Sequence, residues 1–139
     1  MKKVSAAQAL APLRSGQRVL VGSGAAAPQE LVVALAARAA DLSDVEVLHL
    51  MTLAQAPYAA PSFRGHVRHN ALFIGANTRE AVGAGLADYT PCFLHEVPGL
   101  FRSGHLPLDV ALVQATPARG GVCSLGVSVD VVKAAVESA

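Results

Sequence analysis

The sequence contains few aromatic and few charged residues. It has no tryptophan, aromatic residues make up 4%, and charged residues make up 15% of its 139 positions, against about 25% charged residues in typical soluble domains. Lysine and arginine total 11, aspartate and glutamate total 10, and the formal net charge is +1. Because positive and negative charges are nearly equal in number, the sequence has neither the basic stripe of a nucleic-acid-binding protein nor the acidic composition of a solvating tail.

Cysteine and long hydrophobic runs are also scarce. Cys92 and Cys123 are too few for a disulfide framework or a four-cysteine zinc site, which indicates a reducing, cytoplasmic compartment. No apolar run reaches the roughly 20 residues that a membrane-spanning helix needs, so we expect no membrane partner. Hydrophobic residues nevertheless make up 53% of the sequence. We therefore expect a large interface with another domain or another copy of the chain.

The order of predicted elements indicates one α/β domain over residues 1–139. Apolar and β-branched runs predict five strands, at 18–21, 45–50, 71–74, 89–94 and 109–114. Pro91 interrupts the fourth, which predicts an edge or bulged strand. Helical spacing and capping residues predict helices at 5–14, 28–38, 77–85, 97–102 and 128–137, and residues 52–70 read as a long loop. Strands that alternate with helices predict an open, mostly parallel sheet with helices on both faces.

In such a sheet, ligands bind at the carboxyl ends of the strands. The loops that follow Val21, Leu50, Ile74 and Gln114 should therefore gather at one edge, which we call the carboxyl rim.

Gly22, Ser23 and Gly24 join the first strand to a helix, where backbone N–H groups favour an anion or an oxyanion. With Ala27 they satisfy the G-x-G-x-x-A pattern of dinucleotide sites. However, Pro28 delays the helix until after the motif, and the second strand does not end in an acidic residue. A tight turn without a ligand and a nicotinamide nucleotide site both remain as interpretations.

The histidines do not predict a metal site. His49 is alone in an apolar strand, and His66 and His69 lie in the predicted loop, whereas zinc requires three or four convergent ligands. Arg79 and Arg102 are candidate anion contacts, with an ordinary exposed helix position as the alternative interpretation.

Several ordered motifs resemble the N-terminal domain of the acetyl-CoA hydrolase/transferase family, whose members include 4-hydroxybutyrate and succinate:acetate CoA-transferases. They are the turn at 22–24 followed by Pro28, the segment FIGANTREAV at 73–82, and the segment CSLGVSVD at 123–130. The resemblance covers essentially the whole chain.

That resemblance implies a class I CoA-transferase fold, with the active site between two similar α/β domains. It implies coenzyme A as a substrate, with no permanently bound cofactor, and a glutamate nucleophile in the C-terminal domain. We therefore assign no catalytic residue to this chain. Its implied partners are an acyl-CoA, a small carboxylate, and a C-terminal domain on the same chain or on a separate subunit.

The resemblance also implies that parts of the carboxyl rim line the substrate side of the cleft. The residues concerned are Gly22, Ser23, Gly24, Asn77, Arg79, Ser124 and Gly126. Ser23 is the first choice for touching the substrate, and the alternative is that these turns only support the rim.

Three functions follow as hypotheses. The first is the N-terminal half of a CoA-transferase or acyl-CoA hydrolase, inactive alone and homo-oligomeric. The second is a free-standing small-molecule or dinucleotide-binding module without catalysis, and the third is a non-catalytic scaffold that self-associates.

Overall fold

The computed structural model describes residues 2–139 and contains one five-stranded sheet. Met1, the first residue of the predicted domain, lies outside the described residues. The strands are β1 Arg18–Val21, β2 Val45–His49, β3 Val67–Ala71, β4 Ala87–Tyr89 and β5 Val110–Leu112. Their order in the sheet is β4-β3-β2-β1-β5, and each neighbouring pair is parallel. The predicted parallel α/β sheet is confirmed.

Five helices accompany the sheet: α1 Ala6–Leu10, α2 Gln29–Arg38, α3 Arg79–Gly83, α4 Val97–Arg102 and α5 Val132–Ser138. Short 3₁₀ turns at Ala39–Asp41, Pro57–Ala59 and Pro61–Phe63 complete the set in the described part of the chain. None of the helices in residues 2–139 has the length and apolar character needed to cross a bilayer.

The sheet is covered on both faces because alternate residues of a strand point to opposite sides. Val19 and Val21 of β1 pack in one buried cluster with Val32 and Leu35 of α2. Leu20, between them, belongs to a second cluster with residues of α4 and α5. The prediction of helices on both faces is confirmed.

The first two helices are held by local capping and by one arginine. Ser5 Oγ accepts a hydrogen bond from Gln8 N at 3.2 Å, and Gln8 Oε1 accepts one from Ser5 N at 3.0 Å, which forms a capping box. Arg38, at the end of α2, donates to the carbonyls of Leu10 and Leu13 at 2.5 and 2.8 Å. These bonds tie the end of α2 to the end of α1 and to the turn after it. α1 ends earlier than the predicted 5–14.

The predicted position of the third strand is wrong. It spans Val67–Ala71 rather than 71–74, so residues 67–70 belong to the sheet and not to the predicted loop. Its polar side chains find partners across the sheet: Arg68 pairs with Asp88, and Asn70 Nδ2 donates to Glu46 Oε1 at 2.7 Å. Since these partners come from other strands, the polar run pairs as a strand although its own pattern indicates a loop.

The fourth strand and the last helix also differ from the prediction. β4 ends at Tyr89, two residues before Pro91, and so it covers little of the predicted 89–94. It does lie at the edge of the sheet, as predicted. α5 begins at Val132 rather than at residue 128, because Ser128 and Asp130 have positive φ values of 52° and 25° that a right-handed helix cannot contain.

Candidate functional site

The loops that follow the strands meet at the carboxyl rim. Gly24 N donates to Met51 O at 2.7 Å, and Leu53 N donates to Gly24 O at 3.3 Å. Gly22 N donates to Leu112 O at 2.9 Å. The turn after β1 is therefore bonded to the segment after β2 on one side and to the end of β5 on the other.

The two glycines of this turn permit close approach by other parts of the chain. A Cβ at Gly22 would lie 3.3 Å from Leu112 O, and a Cβ at Gly24 would lie 2.5 Å from Ser128 Oγ. Gly24 also has a φ of +57°, which side chains disfavour. The space beside the glycines is thus occupied by Leu112 and Ser128, and this arrangement does not favour a cradle for a dinucleotide.

Ser23 lies between these glycines and is buried. The residue is 2% exposed, and its hydroxyl has no hydrogen-bond partner among residues 2–139. In this conformation the hydroxyl does not open to solvent, and contact with a substrate stays a prediction.

Asn77 links the segment after β3 to the segment after β2. Its Nδ2 donates to Ala54 O at 2.7 Å and to Thr52 O at 3.3 Å. Arg79, the first residue of α3, is exposed and lies on the same side of the rim as Asn77. The structure therefore brings Asn77 and Arg79 to the rim beside the glycine turn.

Ser124 and Gly126 lie in an exposed loop after β5. Ser124 N donates to Thr116 Oγ1 at 2.9 Å, and Gly126 N donates to Ser124 Oγ at 3.0 Å, so that their bonds stay within this loop. The residue that reaches the glycine turn is Ser128, which contacts Gly24. Ser128 was missed because its positive φ and its contact with Gly24 leave no signal in the local sequence, although the residue belongs to the segment CSLGVSVD.

A buried aromatic cluster was also missed. The rings of His49 and His69 lie with centroids 4.2 Å apart, and His49 Nδ1 is 2.7 Å from Tyr58 Oη. His69 Nδ1 donates to Val47 O at 2.8 Å, and the Nε2 atoms of both histidines have no partner among residues 2–139. The sequence pattern places His49 alone in a strand and His69 in a loop, whereas His69 belongs to β3 and lies beside β2.

The pKa values of this cluster shift as burial requires. Burial, followed by repulsion from His69, lowers the pKa of His49 from 6.5 to about 3. Burial also lowers the pKa of His69 and raises the pKa of Tyr58. The cluster is therefore neutral at physiological pH. No group of three or more histidines, cysteines or carboxylates in residues 2–139 is placed to hold a metal ion.

Exposed apolar side chains concentrate at the carboxyl rim, to which the parallel β4 adds its own carboxyl end and the loop after it. Twelve large hydrophobic residues in the described chain are exposed, and nine of them lie at or beyond the carboxyl ends of β2 to β5: Met51, Leu53, Phe73, Tyr89, Phe93, Leu94, Val122, Val127 and Val129. Single exposed hydrophobic residues are ordinary, but a concentration on one side marks an interaction surface. The carboxyl end of the sheet therefore has the composition of an interaction surface.

Comparison with known proteins agrees with this architecture. The family model described as the acetyl-CoA hydrolase/transferase N-terminal domain matches residues 1–139. The chain is 42% identical over 139 residues to the 4-hydroxybutyrate coenzyme A transferase of Clostridium kluyveri, covering 99% of this chain and 32% of that protein. It is 43% identical over 130 residues to the succinyl-CoA:acetate/propanoyl-CoA:succinate CoA transferase of Fasciola hepatica, covering 91% of this chain and 27% of that protein.

Solved structures give the same result. The fold matches the 4-hydroxybutyrate CoA-transferase of Porphyromonas gingivalis with a TM-score of 0.76 and 38% identity, over 97% of this chain and 30% of that one. It matches RipA from Yersinia pestis with a TM-score of 0.88 and 25% identity, over 98% of this chain and 34% of that one. The chain thus spans about a third of the length of these relatives. From the family match, the relatives and the parallel sheet together, we conclude that this chain belongs to the acetyl-CoA hydrolase/transferase family, where it corresponds to the N-terminal domain.

Proposed function

We propose that this chain forms one wall of the active site of a CoA-transferase or acyl-CoA hydrolase. The intact enzyme would move coenzyme A between an acyl-CoA and a small carboxylate. In this proposal a glutamate outside these 139 residues attacks the thioester carbonyl, which forms a mixed anhydride and expels the coenzyme A thiolate. The thiolate then attacks the glutamyl carbonyl of the anhydride, which expels the first carboxylate and leaves a glutamyl-CoA thioester. The acceptor carboxylate attacks this thioester and expels the thiolate, and the thiolate attacks the acceptor's carbonyl in the second anhydride, which gives the new acyl-CoA and frees the glutamate.

The observation that carries the proposal is the apolar carboxyl rim. Nine exposed hydrophobic side chains lie at the edge where ligands of parallel sheets bind. An active site between two domains requires such a face, because a second domain must cover it and exclude water from the reacting groups. The second domain would belong either to the same chain or to a separate subunit.

The glutamates of this chain do not have the environment that a nucleophile needs. A nucleophilic carboxylate acts best where water is excluded and N–H donors face the developing oxyanion. Glu46 is half-buried, but it is paired with Arg18 and accepts a hydrogen bond from Asn70. The other four are exposed: Glu30, Glu80, Glu96 and Glu137. These environments support a nucleophile that lies elsewhere.

The rim residues chosen from the sequence take substrate-side roles in this proposal. The glycine turn at 22–24 and the Asn77–Arg79 segment form the part of the wall that is bonded together. The loop with Ser124 and Gly126 would complete it from the side of β5. The free thiols Cys92 and Cys123 are consistent with action in a reducing, cytoplasmic compartment.

A chimeric enzyme tests this function. The 139 residues replace the matching segment of the Clostridium kluyveri transferase, to which they are 42% identical, and CoA transfer from acetyl-CoA to 4-hydroxybutyrate is measured. We expect transfer by the chimera and none by the 139-residue chain alone. Turnover by the isolated chain, or a folded chimera without activity, would contradict the proposal.

The same apolar rim should cause the isolated chain to associate with itself. Sedimentation velocity of the 139-residue chain should show dimers or larger species whose proportion rises with protein concentration. Replacing Leu53 and Phe93, which are 74% and 71% exposed, by serine should shift the chain towards the monomer. Serine at Val33, exposed at 63% on α2 and away from the rim, is the matched control. A wild-type monomer at high concentration would refute this part.

A further inference from the structure

The segment after β2 forms a loop whose two ends are joined by side chains. His49 is the last residue of β2, and Tyr58 lies nine positions further on, in the 3₁₀ turn Pro57–Ala59. His49 Nδ1 is 2.7 Å from Tyr58 Oη, which is a hydrogen-bond distance. Residues 50–57 therefore form a short closed loop, which has fewer conformations than an open segment of the same length.

The two joined residues are fixed in the core beneath the rim. Tyr58 is 2% exposed and His49 is 0% exposed, and Tyr58 packs in the same buried cluster as Leu35 of α2. On the side of β3, the centroid of the His69 ring lies 4.2 Å from that of His49 and 5.6 Å from that of Tyr58. His69 is itself held, since its Nδ1 donates to Val47 O at 2.8 Å. The hydroxyl of Tyr58 thus meets a partner whose ring is packed in place.

The outer part of this loop carries the contacts with the glycine turn. Gly24 N donates to Met51 O at 2.7 Å, and Leu53 N donates to Gly24 O at 3.3 Å. Met51 comes two residues after His49, and Leu53 comes five residues before Tyr58. A change in where the loop leaves or rejoins the core therefore reaches the glycine turn within a few residues.

The hydroxyl of Tyr58 restricts its position more than ring packing does. Apolar contacts are non-directional, whereas a hydrogen bond weakens steeply as its angle departs from the preferred range. Among the placements of the turn Pro57–Ala59 that bury the ring, the bond to His49 therefore selects one.

We propose that Tyr58 is a positioning residue of the carboxyl rim. By closing the loop at 50–57 on His49, its hydroxyl places Met51 and Leu53 where they bond to Gly24. Tyr58 acts through these residues, because it is itself buried. The part that the glycine turn plays in catalysis rests on the proposed function, whereas the effect of Tyr58 on the turn can be measured without turnover.

The alternative role for Tyr58 is that of an ordinary core residue. Loss of its hydroxyl would then lower the stability of the whole fold, and the rim would open only when the chain unfolds. Asn77, which donates to the carbonyls of Thr52 and Ala54, would hold the loop alone. The two roles differ in which amides exchange, because a local opening exposes those of the loop and the turn and leaves those of the strands protected.

Tyr58→Phe removes the hydroxyl and keeps the ring. Hydrogen exchange of the 139-residue chain is followed by mass spectrometry of short peptides, at one protein concentration for every variant so that self-association is held constant. We expect amides of residues 22–25 and 50–56 to exchange about tenfold faster than in the wild type, because one buried hydrogen bond no longer opposes the opening. Amides of Val19 and Leu20, inside β1, should exchange no faster than the change in global stability requires.

Val97→Ala is the matched control for stability. Val97 lies on α4, is 0% exposed and packs in the cluster on the other face of the sheet. The substitution leaves a small cavity and lowers the stability of the fold, but it should leave exchange at 22–25 and 50–56 unchanged. Circular dichroism and urea unfolding check that each variant is folded and how far it is destabilised.

Two substitutions at His49 test the bond from its other end. His49→Asn keeps a polar group close to the position of Nδ1 and should retain part of the protection of the loop. His49→Leu fills similar space without a polar group and should accelerate exchange as Tyr58→Phe does. Such a rescue depends on the bond and not on the volume of the side chain.

The consequence for the reaction is measured in the chimera with the Clostridium kluyveri transferase. Tyr58→Phe should lower kcat/KM about tenfold, because misplacement of groups that position the substrate is costly even when the substitution lies far from the chemistry. Val97→Ala, in the other cluster, should change kcat/KM by less than about twofold in the folded enzyme.

Four results would overturn the proposal: unchanged exchange at 22–25 and 50–56 in Tyr58→Phe, equal acceleration there in Val97→Ala, equal acceleration in His49→Asn and His49→Leu, or an unchanged kcat/KM for Tyr58→Phe in an active chimera. An active chimera with unchanged exchange in Tyr58→Phe would refute the role of Tyr58 alone. An inactive wild-type chimera, together with selective acceleration in Tyr58→Phe, would refute the proposed function alone.

Discussion

Gly24→Ala tests the contact on which the geometry of the glycine turn depends. The new methyl group would lie 2.5 Å from Ser128 Oγ and 3.1 Å from Ser128 Cβ. Ordinary contacts of this kind lie at about 3.5–4.0 Å. The Ser128 hydroxyl must rotate away, and the loop that carries Ser128 Cβ or the turn itself must then shift.

The loss of stability expected from Gly24→Ala has two parts. A non-glycine residue in the left-handed region costs about 1–2 kcal/mol, and Gly24 has a φ of +57°. Overpacking against Ser128 adds about 1–3 kcal/mol. Gly85→Ala separates the two, because Gly85 has a φ of +70° but no atom within 4 Å of the added Cβ. Gly85→Ala should therefore cost the first part alone.

Urea unfolding followed by circular dichroism measures the free energy of unfolding of each variant. We expect Gly24→Ala to be less stable than Gly85→Ala by about 1–3 kcal/mol. Ser128→Gly removes the obstructing side chain at a residue whose own φ is +52°. Alone it should raise the free energy of unfolding by about 1–2 kcal/mol, because a glycine relieves the left-handed backbone at this position. In the Gly24→Ala background it should raise it by more than that, because it also removes the overpacking.

Two outcomes would refute this reasoning. Equal destabilisation by Gly24→Ala and Gly85→Ala would mean that Ser128 does not pack on the turn. Additive effects of Gly24→Ala and Ser128→Gly would mean that the two residues do not interact.

Three further predictions concern the residues beneath and beside the rim. The unfolded chain takes up a proton at His49 near pH 6.5 and the folded chain only near pH 3. The free energy of unfolding should therefore be constant above about pH 7 and should be lower by about 2 kcal/mol at pH 5 because of His49 alone. The lowered pKa of His69 acts in the same direction. An unchanged free energy of unfolding at pH 5 would contradict this prediction. Tyr58→Phe leaves His49 Nδ1 without its partner and should cost about 1–3 kcal/mol in urea unfolding, whereas Tyr89→Phe, at a site 47% exposed, should cost under about 0.5 kcal/mol. Asn77→Ala removes two hydrogen bonds that join the rim segments and should lower the free energy of unfolding by about 1–2 kcal/mol, as measured by thermal unfolding. A variant as stable as the wild type would show that these bonds do not hold the segments together.

The elements that could be predicted from the sequence are those whose side chains face one environment. β1 and β2 are largely buried and apolar, and the predicted 18–21 and 45–50 differ from the observed bounds by one residue at most. The helix at 97–102 was also predicted correctly, with Val97 and Phe101 buried. In these elements local pattern and tertiary burial agree.

The elements that were missed depend on partners far away in the chain. Arg68 and Asn70 occupy β3 because Asp88 and Glu46 pair with them, and these residues lie 20 and 24 positions away. The pairing of His49 with His69 was not predicted for the same reason, because β3 was predicted at 71–74 instead of 67–71. The position of Ser128 on the glycine turn requires a left-handed residue that is not glycine, which local pattern rarely predicts.

The carboxyl rim was predicted in outline and not in its contacts. The parallel order placed the loops after the strands at one edge, and the structure brings the glycine turn and Asn77 together there. The bonds that fix them join different loops, from the Gly24 backbone to Met51 and Leu53 and from the Asn77 side chain to Thr52 O and Ala54 O, and no local pattern encodes such bonds. Contact of Ser23 or of Ser124 with a substrate stays a prediction.

In the proposed enzyme, this chain supplies a wall of the active site, and the nucleophile lies outside these 139 residues. The most direct measurement is peptide mass spectrometry of the active chimera after incubation with an acyl-CoA, to locate the glutamate that carries coenzyme A as a thioester. We expect the modified peptide to lie outside these 139 residues. A thioester on any of the five glutamates of this chain would contradict it.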